Sequence, residues 1–527
     1  MAAQRAGRVL IVDNDIRTAL LLKENLEVEG YDVRVAEGAG DSLVNHALEL
    51  SHDFRPHAAI VDLRIGGVPA LDMLRSTDHR GLELLRGLDQ ARCILRSAFL
   101  TPEVVRAAIK EFRAFDVIGA QESPRRLLDA VAAAMEESRA STRGFQIHWP
   151  SEWSPRQVVE TLVGKDANVP PDVVEDVLGC VFAEAQSVRL ETWGEGQVTP
   201  QSATRGRSVV LKAWPDSQLE PLVVKVAPTR RIVAEAHNYF DYVRGNLRGQ
   251  FHAILQGAPV TFWDLGGVLY TFVGAPRQTL PSFAAFYREQ QEPQAIVRPL
   301  QHFFEEVWGD LYHKATQLGQ PLFPAYDKVL RLKDRLVSFP DTREKIEFPG
   351  VSVILPNPVL WVLRHKEADS IPYTRQAITH GDLHGDNLFV DRVHAWAIDF
   401  ERSGPGPMLR DFVELEVDIV TRLISVPEND LSRFYEVAVI LTQPAELTAS
   451  LQPTPLVAQD PEITKALGVI NGLRCLACET TGCLDTKEYL WGLVLDALFV
   501  ASLVPQGMPQ RERALLLASV LCERLEE

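Results

Sequence analysis

The sequence predicts a multidomain chain of α/β and α+β parts: a doubly wound parallel five-stranded sheet, then a bilobal region made of a small β-rich lobe and a helical lobe. Three observations lead there. Short apolar runs alternate with helical periodicity up to residue 140, Gly-containing polar turns separate β-like runs between 187 and 275, and long stretches of helical apolar spacing dominate after residue 400.

Bulk properties set the frame. A chain of 527 residues is too long for one hydrophobic core and divides into about three domains or lobes. With 46% hydrophobic and 24% charged residues it carries enough apolar surface to fold throughout. A net charge of -17 argues against a nucleic-acid partner. No apolar stretch approaches the ~18 residues of a membrane span, and Val9–Val12 is too short for a secretory core, so the expectation is a cytoplasmic protein with no membrane partner. Six cysteines make no disulfide framework. Cys475, Cys478 and Cys483 share a helical segment, where core-facing thiols are the commoner explanation and a zinc site the rarer one.

The first element is Val9–Val12, which ends in Asp13-Asn14-Asp15 and is followed by a helical pattern to Glu29 and a second strand at Tyr31–Val35. Strands at Ala58–Val61, Arg92–Leu95 and Phe115–Ile118 follow, with a last helix at Pro124–Glu137. In such a sheet the ligand site lies at the carboxyl ends of the strands, which gathers Asp13, Asp15, Asp62 and Ser97 there. Clustered carboxylates suit Mg²⁺. Residues 1–140 resemble the receiver domain of bacterial response regulators (CheY-like). The resemblance implies Asp62 as phospho-acceptor, Asp13, Asn14 and Asp62 as the metal site, and Ser97 as the phosphoryl contact. Asn14 stands where the family prefers a second acid and Ala120 where it has lysine. A switching receiver and a docking surface both remain open.

Glu136–Ser154 mixes charge, Gly, Ser and Pro and reads as a linker; with the helical patterns Pro155–Leu162 and Pro171–Ala185 it forms a connector over 141–186. Residues 187–275 read as the small lobe. Val188–Thr192 leads to Gly194-Glu195-Gly196 and a return strand, Ser208–Trp214, a layout that can lay N–H groups over nucleotide phosphates or be a plain turn. Pro221–Ala227 is an apolar strand interrupted by Lys225, and the next helical stretch carries Glu235. A desolvated ammonium needs an anion, phosphate or Glu235, unless Lys225 snorkels to water from an edge strand. Val268–Val273 supplies another strand, and Gly274-Ala275-Pro276 suits a hinge.

Ile378-Thr379-His380-Gly381-Asp382-Leu383-His384-Gly385-Asp386-Asn387 reads as a loop, with Leu388–Val390 and Ala395–Ile398 as the hairpin that leads to Asp399. Phosphoryl transfer needs a carboxylate to align and deprotonate the acceptor hydroxyl and oxygen ligands to hold Mg²⁺ on ATP; Asp382, Asn387 and Asp399 supply them. Here the sequence resembles the aminoglycoside and choline phosphotransferase branch of the protein-kinase-like superfamily, over about 175–500 and most strongly in 376–416, and within it the phosphotransferase-like domains of bacterial conflict-associated ternary systems. The resemblance implies ATP and Mg²⁺ as cofactors, Asp382 as base, Asn387 and Asp399 as metal ligands, and Lys225 as phosphate anchor with Glu235 its partner. It further implies nucleotide contacts at Gly194 and Gly196, and an Asp411 that braces the loop. His380 reads as a structural hydrogen-bonding residue. Asp386 reads as charge near the metal or as a solvated loop acid, and Glu401 as support for the ligands or as surface.

Residues 276–527 complete the helical lobe, with helices expected at Phe412–Leu423, Leu431–Leu441, Ile463–Cys478, Leu490–Leu503 and Arg511–Leu525. Glu414, Glu416 and Asp418 read either as attraction for a cationic substrate or as a solvated helix face. The leading expectation is a kinase acting on a hydroxyl of an unidentified small molecule or protein, regulated or docked through the receiver-like domain, on which a sensor kinase or other protein could act. A catalytically silent nucleotide-binding adaptor and AMP transfer are the alternatives.

Overall fold

Strand β1 (Arg8–Val12) has its apolar side chains buried on both faces, as a central parallel strand must. Val9 and Ile11 meet the helices of one side, Leu10 and Val12 those of the other. Around it a computed structural model, which describes residues 7–66, 79–138, 145–164, 169–192, 208–247, 251–275, 278–367, 372–427, 430–444, 446–505 and 507–526, builds the expected doubly wound sheet. The elements are α1 (Ile16–Val28), β2 (Asp32–Ala36), α2 (Asp41–Phe54), β3 (Ala58–Asp62), α3 (Arg80–Gly87), β4 (Arg92–Ser97), α4 (Pro102–Lys110), β5 (Asp116–Gly119) and α5 (Pro124–Ser138). The sheet order is β2-β1-β3-β4-β5, all parallel. Local chemistry sets the helix starts: Asp15 caps α1 by accepting the Arg17 N–H, and Thr101 caps α4 with Pro102 behind it.

A second, six-stranded sheet follows. It contains β6 (Gln146–His148), β7 (Ser187–Thr192), β8 (Val209–Pro215), β9 (Leu222–Pro228), β10 (Leu255–Phe262) and β11 (Leu265–Thr271), in the order β10-β11-β9-β8-β7-β6. Between them lie α6 (Pro155–Val163), α7 (Asp172–Val181) and α8 (Thr229–Asn238). Two elements differ from the sequence reading. The expected linker contains β6, which pairs in parallel with β7, because Ile147 faces its partner Val188 and the sheet edge recruits even a three-residue run. Strand β10 escaped the reading because Gln256, Gly257 and Pro259 interrupt its apolar pattern.

The chain divides into two compact units, the first being Met1–Trp193, Arg207–Val233 and Gln256–Tyr270, the second Gly194–Gly206, Ala234–Leu255 and Thr271–Glu527. Within the first unit the receiver-like sheet and the six-stranded sheet share one apolar core, in which Leu10, Val61, Leu85 and Leu95 are continuous with Val158, Val177, Leu190 and Leu211. A buried ionic group joins them. Arg8 binds Asp172 and Asp176 of α7, the latter at 2.9 Å. His57 accepts the Arg8 N–H on Nδ1 at 2.9 Å, so its proton sits on Nε2, 3.1 Å from Asp176. Arg55 binds Asp264 at 2.5 Å, and the Trp263 indole donates to the Pro56 carbonyl. All the receiver-side partners lie at the amino-terminal ends of β1 and β3, opposite the carboxyl ends that carry Asp13 and Asp62.

The second unit is mostly helical. It contains α9 (Phe283–Glu289), α10 (Pro293–Gln301), α11 (Gly309–His313), α12 (Leu322–Leu330), α13 (Leu332–Leu336), α14 (Pro358–His365), α15 (Arg410–Asp418), α16 (Leu431–Thr442), α17 (Pro461–Thr481), α18 (Thr486–Leu503) and α19 (Pro509–Glu526). Helix α18 is buried on all sides, from Tyr489 through Ala501, which marks it as the central helix. Among the described residues five short antiparallel pairs also occur, and two of them, Gln376–Thr379 with Gly404–Pro407 and Leu388–Val390 with Ala395–Ala397, frame the loop. Among the described residues no helix is long and apolar enough to cross a membrane.

Candidate functional site

The loop from His380 to Asn387 leaves one antiparallel pair and enters the other, and its backbone is held from one side. Asp411 accepts the N–H groups of His380 and Gly381, each at 2.8 Å, and the Tyr312 hydroxyl at 2.6 Å. Glu414 accepts the Leu383 N–H at 2.8 Å, and Asp418 the Gly385 N–H at 2.9 Å. These three acids lie at i, i+3 and i+7 of α15, which at 3.6 residues per turn is one face of the helix. One helix face therefore sets the position of four loop amides.

Cations complete this frame. Arg410 donates to Glu414 at 2.8 Å and to the Gly381 carbonyl, while Arg422 bridges Asp418 at 2.7 Å and Asp386 at 2.8 Å. Burial raises the Glu414 pKa and the Arg410 charge opposes it. Burial works against the Arg410 cation too, but Glu414 and Asp411 outweigh it and hold its pKa above the usual value. Glu416 turns the other way, taking Arg474 at 2.5 Å and the Tyr489 hydroxyl at 2.7 Å. Both sequence readings of Glu414, Glu416 and Asp418 are thus corrected: they are buried and occupied by structural partners, neither solvated nor presented to a substrate. Asp386 is an ion-pair partner of Arg422.

The remaining loop residues are placed as follows. His380 donates from Nε2 to the Ile398 carbonyl at 2.9 Å, and its own carbonyl accepts from Ser403. Asn387 donates from Nδ2 to the Asp382 carbonyl at 2.8 Å, which orients its side-chain oxygen by exclusion. Gly381 has φ +78, and a Cβ there would stand 2.3 Å from the Arg402 carbonyl oxygen, so only glycine fits. Asp399 also has a positive φ of 64, an uncommon backbone for a residue with a side chain.

Asp399 gathers with Glu235 and Glu401, the three offering ligand oxygens within 4.8 Å of one another. This donor set of hard carboxylate oxygens fits a divalent cation such as Mg²⁺. The sequence named Asp399 for this role, assigned Glu235 to Lys225 and left Glu401 open. Arg402, which sequence reasoning missed, reaches Asp382 with Nη1 at 3.3 Å and lies over the Phe499 ring at 5.2 Å. Its position directly after the acidic pair was the available signal. The cysteines at 475, 478 and 483 do not form a metal-ligating group among the described residues.

In the first unit, Lys225 is buried on β9 opposite Val210. Gly194 and Gly196 lie outside the described residues. At the carboxyl end of the receiver-like sheet, burial and then Asp62 push the Asp13 pKa up to about 6, against the Asp15 N–H and Arg96. Burial also raises Asp62, while Ser97, the Leu63 and Arg64 amides and Arg96 oppose the shift. Asn14 donates to the Gly66 carbonyl at 3.3 Å, and Asp15 is spent on the cap of α1.

Residues 333–498, a stretch that holds the loop and α15, match the family described as ternary complex associated domain 9. The N-terminal region is similar by structure to CheY-like receiver domains. A receiver domain protein from Methanospirillum hungatei is 22% identical over 25% of this chain and 96% of its own, with a TM-score of 0.21. NtrX from Brucella abortus, solved with ATP, is 23% identical over 25% of this chain and 28% of its own, with a TM-score of 0.21. A response regulator from Thermotoga maritima is 18% identical over 25% of this chain and 99% of its own, with a TM-score of 0.20. No curated protein matches the chain.

Proposed function

We propose that the chain carries an ATP- and Mg²⁺-dependent phosphotransferase acting on a hydroxyl acceptor, its loop in the second unit, within a cytoplasmic signalling or conflict-system protein whose receiver-like domain regulates or docks it. The observation that carries this reading is the pinned loop. Four of its amides are fixed by Asp411, Glu414 and Asp418, so Asp382 is presented from a rigid backbone, as a positioned base requires. In the proposed step Asp382 accepts the proton of the acceptor hydroxyl, the acceptor oxygen bonds to the γ-phosphorus, and the bond to the β,γ-bridging oxygen breaks to release ADP. Asn387, Asp399, Glu235 and Glu401 would hold Mg²⁺, which when bound neutralises charge on the phosphates. Lys225 stays in the proposal as a phosphate anchor on sequence grounds. The family described as ternary complex associated supports membership of a multi-protein system, not a particular acceptor.

A silent nucleotide-binding adaptor is the second reading, favoured by the Arg402 contact, because a carboxylate already holding a guanidinium is a weaker base. Mg-ATP turnover by wild type and Asp382→Asn, with a bacterial lysate as acceptor and ADP and AMP measured separately, decides. ADP from wild type alone supports the kinase; AMP release means nucleotidyl transfer; binding without turnover supports the adaptor.

A further inference from the structure

The carboxyl end of the receiver-like sheet carries a cation in an unexpected place. Pairing of β3 with β4 sets Asp62 beside Arg96, and pairing of β1 with β3 at Val12 and Val61 brings Asp13 next to Asp62. Asp13, Asp62 and Arg96 therefore form one row across three strands, with side chains on one face. Arg96 leans further across, donating from Nη2 to the Ala120 carbonyl at 3.3 Å, just beyond the end of β5. A second guanidinium is close in sequence. Arg64 lies 3.8 Å over the Phe99 ring, and its Nε and Nη1 are buried without hydrogen-bond partners. Its backbone N–H donates to Asp62 at 3.3 Å.

Among the described residues neither guanidinium forms an ion pair with Asp62. Buried N–H donors without acceptors are costly, and guanidinium groups match the oxygens of a phosphoryl group. We propose that Arg96, seconded by Arg64, is the cation that holds a phosphoryl group on Asp62, doing from β4 what a cation at position 120 would do from the end of β5. This rests on Asp62 being the acceptor. With acetyl phosphate as donor, an Asp62 oxygen bonds to phosphorus, the bond from phosphorus to the acetyl oxygen breaks, and acetate leaves with the electron pair, so no further reactant is needed.

The test is labelling of the full chain by acetyl phosphate with Mg²⁺ and without ATP, located by mass spectrometry. Beryllofluoride binding is followed in parallel by fluorine NMR, and thermal melts check folding. Wild type should be labelled at Asp62. Arg96→Ala should cut labelling and beryllofluoride affinity about tenfold or more, the scale of one charge-assisted hydrogen bond. Arg96→Lys should keep part of it, and Ala120→Lys added to Arg96→Ala should restore it. Equal labelling of wild type and Arg96→Ala overturns the inference alone. No label and no beryllofluoride on wild type overturns the acceptor reading with it, and neither result bears on turnover at Asp382. If Arg96→Ala fails to fold, Arg96→Gln, which removes the charge and keeps most of the side chain, carries the decision, and labelling of it equal to wild type rejects the proposal.

Discussion

Glu414 accepts the Leu383 N–H at 2.8 Å while its other oxygen holds Arg410 at 2.8 Å, so one buried carboxylate joins the loop to the helix that positions it. Glu414→Ala would strand the Arg410 charge and orphan a buried amide, and breaking a buried pair this way costs about 3–5 kcal/mol. Glu414→Gln keeps an acceptor for the amide and should lose less. Urea unfolding of the full chain should rank wild type, Gln and Ala in that order, and an Ala variant as stable as wild type would refute the bracing role.

Gly381→Ala tests the loop geometry itself. The φ of +78 and the Arg402 carbonyl 2.3 Å from a Cβ mean the backbone must move. Left-handed backbone costs an L-residue about 1–2 kcal/mol before any clash. Turnover, if the phosphotransferase reading holds, should fall at least tenfold while nucleotide affinity, measured calorimetrically, changes little.

The division between what the sequence reveals and what it hides has a physical basis. Strands β1, β3 and β4 are legible because burial on both faces demands near-continuous apolar runs, and the loop is legible because its polar residues keep fixed offsets. The role of Glu414 and Asp418 is not, since acids on a helix look solvated until their partners are known. Arg410 and Arg422 carried the missing clue, each four residues from one of these acids on the same face. Glu235 shows a different limit: its gathering with Asp399 and Glu401 was hidden because those carboxylates come from far along the chain.

The ionic joint of the first unit should hold the receiver-like sheet firmly. Asp176 is buried and serves both Arg8 and His57. Asp176→Ala leaves Arg8 without one partner and His57 Nε2 without an acceptor, an effect of about 3–5 kcal/mol. Replacing Arg8 and Asp176 together by Met and Leu should cost less than Asp176→Ala alone, because no buried charge is stranded and the part-exposed Asp172 keeps its water. Limited proteolysis should then release the receiver-like domain from Asp176→Ala before the double variant; simultaneous release would contradict this account.

His252 gives the second unit an acid sensitivity. It is 7% exposed, lies against the Tyr239 ring at a tilt and edge-on to Phe400, and its Nδ1 is buried with no hydrogen-bond partner. Burial depresses its pKa from 6.5 to about 4, so the folded state holds it neutral where an unfolded chain would protonate it. A depressed base binds fewer protons when folded, so the stability it leaves intact above pH 6.5 is lost as pH falls towards about 4. The full shift corresponds to at most about 3 kcal/mol. His252→Phe removes both the proton site and the unpaired nitrogen while keeping an aromatic ring for Tyr239 and Phe400. Its stability advantage over wild type, from urea midpoints, should therefore grow as pH falls from 7 to 4.5; a difference that stays constant across that range would show that His252 is not titrating in the fold.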